Sequence, residues 1–245
     1  MTDHGRPMSS VALRTPALVL VAAGVAWLVA YERMRGMDEG PGTPLGGLGW
    51  FVGIWVTMTA AMMLPTVLPH VAWFARRVAA LLFALGYIAV WMAYGLGVYA
   101  VYRLVTSFDT GWLAWDEAGP YAAGVVIVAA GLYELTPLKR RSLRRCRMFP
   151  DDSGALRSGL AHGLDCVGCS GGLMLVLFAA GVMSLFWMAV VAGAIFAEKV
   201  LPQGLRLSRL LALALVVLGI WVALAPSSVP GLTEPHRMVP MEIQS

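Results

Sequence analysis

Between Asp165 and Glu198 the chain runs for 32 residues without one charged side chain. As a single helix that run would be about 48 Å long at 1.5 Å per residue, well beyond a hydrocarbon core of about 30 Å. As two complete crossings of about 20 residues each it is too short. The spacing therefore predicts two short or bent helices that break near Gly181–Ser184, with one long tilted helix projecting into the cytoplasm as the alternative.

Five other apolar runs cover residues 16–31, 50–69, 79–102, 120–135 and 207–224, with Tyr31, Trp50, Tyr102 and Tyr121 near their ends, where interfacial aromatics belong. Only 13% of the 245 residues are charged, against about 25% in soluble domains. That is too few to coat a water-facing surface. The expectation is an all-α, polytopic transmembrane helix bundle of six or seven spans with no sizeable soluble domain. Residues 1–13 read as a cytoplasmic tail and 14–225 as the membrane domain. Residues 226–245, rich in proline and polar side chains, read as a disordered tail. The first apolar run is long enough to be a span rather than a signal peptide.

The formal charge of +4 is unevenly spread: seven of the 18 basic residues fall between Lys139 and Arg157. Between apolar runs such a cluster marks a cytoplasmic loop facing anionic lipid, here about residues 138–163, rather than a nucleic-acid surface. Arg76 and Arg77 fall on the same side. Asp38, Glu39, Asp109, Asp116 and Glu117 fall on the other. The predicted placement is a plasma (inner) membrane with the amino terminus in the cytoplasm.

Three cysteines make no disulfide framework, and a cytoplasmic position keeps them reduced. Cys166 and Cys169 form a C-x-x-C pair where a membrane helix is expected to begin. His162 precedes them by four residues, so all three share one helical stripe. Helix amino-terminal amides favour thiolate there. Thiolate and imidazole suit Cu(I) or Zn(II), and thioethers favour copper. Such donors stand on the second run: Met58, Met62 and Met63 precede Pro65, with His70 following. The proline kinks a helix and frees a carbonyl, opening room for a site at the same membrane face. Glycines around the cysteines and a flexible methionine stripe are also what plain helix packing uses. Glu134 and Glu198 each end an apolar run and are followed by a base, so each reads as an interfacial carboxylate paired with lysine, or as a proton carrier or hard ligand if turned inward. Cys146, among Arg144, Arg145 and Arg147, reads as an idle surface thiol before a reactive one that delivers metal to the pair or takes a palmitoyl group. The chain holds no phosphate loop, G-x-G-x-x-G, G-x-S-x-G or H-E-x-x-H signature, which removes support for an ATP-driven pump, a dinucleotide enzyme or a zincin.

In WVTMTAAMMLP at 55–65, YELTPLKRRSLRRCR at 133–147, GLDCVGCSGGLMLVLFAAGVMSLFWM at 163–188, and Glu198-Lys199 with Pro202 behind it, the chain resembles a family of bacterial multi-pass proteins described as predicted metal-binding integral membrane proteins. The resemblance covers about residues 50–202. It implies a helical membrane fold and a metal function, with Cys166, Cys169, Glu198, Met62 and Met63 in the site. Family members often carry a further cysteine directly after the second, where this chain has Ser170. The resemblance thus leaves His162 or a methionine to replace a third thiolate.

Together these readings predict a protein that binds or handles a soft metal ion, copper before zinc, near the cytoplasmic face. The ligands would be Cys166, Cys169, His162, Met62, Met63, His70 and Glu198. The partners would be the bilayer, the ion, and another membrane protein or metal chaperone, with no nucleic acid. A membrane thiol–disulfide carrier and a non-catalytic subunit of a membrane complex are the rival readings.

Overall fold

The computed structural model describes residues 10–34, 47–74, 76–107, 115–149, 154–179 and 185–225. These form eight helices and, among the described residues, no strand: α1 (Ser10–Met34), α2 (Leu48–Trp73), α3 (Arg77–Ser107), α4 (Trp115–Glu134), α5 (Pro137–Cys146), α6 (Ala155–Ala179), α7 (Leu185–Val200) and α8 (Gly204–Leu224). Helix α6 packs against α3, α4 and α5, while α1 lies along α2 and α8 along α4. The expected tail at 226–245, most of the amino-terminal tail and the expected break at 181–184 lie outside the described residues; α6 and α7 stand on either side of that break.

Among the described residues, four helices (α2, α3, α6 and α8) are long and apolar enough to cross a membrane. A fifth crossing is added if α4 and α5, bent by 68° at the break between them, count as one span. The six or seven expected from sequence also counted the regions of α1 and α7. Helix α7 has 16 residues, short of the roughly 20 that a crossing takes.

The segment read as a basic loop at about 138–163 is mostly helical. Thr136 caps α5 by accepting a hydrogen bond from the Lys139 backbone N–H, and Pro137 occupies the first turn, where its missing donor costs nothing. Lys139, Ser142, Leu143 and Cys146 then recur at helical spacing and are the buried face of α5, with arginines on the other.

Helix α6 continues through all its glycines, each of which costs about 1 kcal/mol relative to alanine in a helix. Two of them explain the tolerance by close approach. A Cβ on Gly159 would collide with the Phe83 carbonyl of α3, and one on Gly168 would collide with the Ser142 hydroxyl of α5. Small residues thus let two neighbours lie directly on α6. Aromatic donors pin the helices to one another: Trp27 Nε1 donates to the Ala61 carbonyl (3.1 Å), Trp55 Nε1 to Trp91 (2.9 Å), Tyr94 Oη to Gly171 (2.9 Å) and Tyr133 Oη to Gly168 (2.6 Å). Each of these four rings keeps its polar end satisfied. The outward faces carry large apolar side chains, including Leu81 and Leu85 on α3, Val125 on α4, and Leu210, Leu213 and Val217 on α8.

Candidate metal centre

The carboxyl ends of α2, α5 and α7 converge on the first half of α6, and the sulfurs meet there. The Sγ atoms of Cys146, Cys166 and Cys169 lie within 4.8 Å of one another, and all three residues are buried. None is in a disulfide. Cys166 and Cys169 come from consecutive turns of α6. Cys146 comes from the last turn of α5, brought in by the buried stripe Lys139–Ser142–Leu143–Cys146 and by the contact of Ser142 with Gly168. Cys146 is therefore no idle surface thiol. The missing signal was its own spacing: three residues after Leu143 and seven after Lys139, it sits on the inward face whatever the arginines beside it do.

The pair is also deeper than the sequence implied. Cys166 lies three turns into α6, about 16 Å from its first residue, beyond the first turn in which helix-end amides act. The cation beside it is a lysine. Lys199 Nζ, from the last turn of α7, lies 2.9 Å from Cys166 Sγ, 3.5 Å from Thr66 Oγ1 and 4.0 Å from Met63 Sδ. An ammonium at that distance is in ion-pair geometry with a thiolate. The Tyr87 hydroxyl lies 3.1 Å from the same sulfur. Ser170 donates to the Cys166 carbonyl (2.7 Å), and its Oγ lies 3.7 Å and 3.8 Å from the sulfurs of Cys166 and Cys169. A third sulfur comes from Cys146 on α5, beside the place where the resemblance had left His162 or a methionine to replace a thiolate.

His162 lies one turn before Cys166 and is buried, with Nε2 4.0 Å from Cys146 Sγ. His70, at the end of α2, stacks on it with ring centroids 4.1 Å apart. The histidines thus adjoin the sulfur group, and Met63 touches it through Lys199.

Glu198 and Met62 stand apart. Met62 is packed in the apolar core. Glu198 belongs to a second buried polar cluster, where Lys139 Nζ donates to Glu134 Oε1 (2.7 Å) and Glu198 Oε2 (2.8 Å). The Ser208 hydroxyl donates to the other Glu198 oxygen, and Arg147 donates to the Glu198 backbone carbonyl and to that of Leu201. The lysine between the two carboxylates offsets one of their charges where water does not reach. The cluster ties α4, α5, α7 and α8 together on the flank of the sulfur site.

Three buried thiols from two helices, with a cation on one sulfur and imidazoles at their edge, make a soft-metal donor set. Residues 52–222 match the family model described as PpoB2, copper chaperone; the match spans more than half of the chain and every residue of the site, and the chain belongs to that family. No curated protein and no solved structure matches it. The family and the buried cysteine group both support copper handling.

Proposed function

We propose that the chain is a multi-pass membrane protein that holds Cu(I) as cargo between Cys146, Cys166 and Cys169 and passes it to a partner protein. The observation that carries this reading is the meeting of three buried, unpaired sulfurs within 4.8 Å. Metal–sulfur bonds of about 2.3 Å put sulfurs about 4 Å apart around one trigonal ion, a modest side-chain adjustment from that arrangement. Three thiolates and Cu(I) sum to a charge of −2, and the Lys199 ammonium offsets part of it. The apolar outer faces of α3, α4 and α8 support burial in lipid, and the basic face of α5 supports a cytoplasmic position for that end.

Metal analysis of the purified chain beside Cys166→Ser/Cys169→Ser tests the site. Wild type is expected to carry about one copper that the variant loses, and equal copper and zinc in both would end the proposal. Carbonate extraction and reporter fusions at each terminus test the membrane placement.

One contact favours a second reading: the cation on Cys166 would equally serve a nucleophilic thiol in a thiol–disulfide carrier. Copper that protects all three thiols from alkylation decides for the first reading; a trapped mixed disulfide with a partner decides for the second.

A further inference from the structure

Beside the sulfurs lies a buried nitrogen that no described residue hydrogen-bonds. His70 Nε2 is 3.1 Å from the Met148 backbone carbonyl. A carbonyl only accepts, so Nε2 carries the proton and donates. In the neutral ring this leaves the lone pair on Nδ1, which is buried and has no hydrogen-bond partner among the described residues; the residue as a whole is 6% exposed. Metal-binding histidines are commonly fixed in this way, one ring N–H donated to a carbonyl and the other nitrogen left for the ion.

The second observation is the neighbour. The His162 ring lies 4.1 Å from that of His70, and its Nε2 lies 4.0 Å from Cys146 Sγ. An ion bonded to nitrogen at about 2.0 Å and to sulfur at about 2.3 Å spans at most about 4.3 Å, so one ion can touch both with little movement. Outward from His70, Trp73, Met148 and Phe149 are all exposed, and the Phe149 ring packs between those of Trp73 and His70. From surface to interior the donors run His70, His162, Cys146, then Cys166 and Cys169.

We propose that His70 and His162 form a loading subsite for Cu(I), distinct from the three-sulfur site, through which the ion reaches and leaves Cys146. The proposal rests on the copper reading above. Imidazole is a less soft ligand than thiolate, so the pair holds the ion more weakly than the cysteines, as a station on a route must. In the exchange copper stays Cu(I). Its bond to His162 Nε2 breaks as a bond to Cys146 Sγ forms, and the thiol proton passes to the vacated imidazole nitrogen. Cys166 and Cys169 then complete the shell, and unloading runs in reverse.

The test uses the full chain in lipid nanodiscs under anaerobic conditions. Cu(I) is offered as its bicinchoninate complex, and the loss of chelate colour is followed in time. His70→Phe and His162→Phe are expected to reach the wild-type copper content while loading at least about tenfold more slowly, in line with the loss typical when a metal site's supporting groups are removed. Their thermal melting should match wild type. His70→Gln, which keeps a donor for the Met148 carbonyl but offers no imidazole, should behave as His70→Phe does. In a Cys146→Ser/Cys166→Ser/Cys169→Ser background, a weak residual Cu(I) site should remain and vanish with His70→Phe. Wild-type loading rates in both histidine variants overturn the subsite. So does a lower final copper content at an unchanged rate, which would make the histidines ligands of the cysteine site itself. If wild type loads copper and the triple cysteine variant holds it equally well, the three-sulfur reading fails instead. If wild type takes up no copper, both fall.

Discussion

The ammonium of Lys199 lies 2.9 Å from the sulfur of Cys166, 33 residues away in sequence and on another helix. Helix α7 is thereby fastened to α6 by a charged contact rather than by apolar packing alone, and the site holds one fixed positive charge before any ion arrives.

Lys199→Met removes that charge while keeping most of the apolar stem. Copper affinity is expected to fall about 10- to 100-fold, as when other partners that orient or neutralise a metal's ligands are removed. Lys199→Arg should lose less. Competition against a chromophoric Cu(I) chelator measures both, and an unchanged constant in Lys199→Met would rule out a role for the cation.

Cys146→Ser is expected to weaken copper binding as much as Cys166→Ser does, because each removes one of three converging sulfurs. A site built from the C-x-x-C pair alone would ignore Cys146. The same competition assay, run on the three single cysteine variants, separates these outcomes.

Lys139→Met strands two carboxylates that are almost wholly shielded from solvent. Breaking a buried ion pair on one side costs about 3–5 kcal/mol, so a clear fall in thermal midpoint in detergent is expected. Adding Glu134→Gln and Glu198→Gln should recover much of it. If Lys139→Met melts with wild type, the cluster does not tie the helices together.

Ser170→Cys would place a fourth sulfur beside two that already lie 3.7 Å and 3.8 Å from the serine oxygen. Four thiolates in a closed shell suit tetrahedral zinc. The zinc-to-copper ratio of the purified variant should therefore rise, and a ratio equal to wild type would show that position 170 does not reach the ion.

Much of this was readable beforehand, and what was not has physical causes. Cys166, Cys169 and His162 were visible because their spacings of three and four fall on one helical stripe. That the chain is helical followed from its long apolar runs. The count of crossings did not, because runs such as that of α7 look alike whether they cross or merely pack. Cys146 was hidden by its arginine neighbours: local composition suggested surface, whereas the α5 periodicity, at 139, 142, 143 and 146, pointed inward. Lys199 and Glu198 are adjacent but serve different clusters, since consecutive helical residues point about 100° apart. The spacing held that distinction, but the partners lie 33 and 59 residues away, beyond what a local pattern shows.

Because its sulfurs sit on both α5 and α6, an ion bound to Cys146 and Cys166 would close the chain between them into a ring of about 20 residues. Closing a loop of that size is worth about 3 kcal/mol in chain entropy. Cargo would thus double as a staple: a loaded molecule would clamp its helical hairpin, and an emptied one would let it breathe. A recipient protein could tell full from empty by stiffness alone, and amide exchange along α5 would record the same difference.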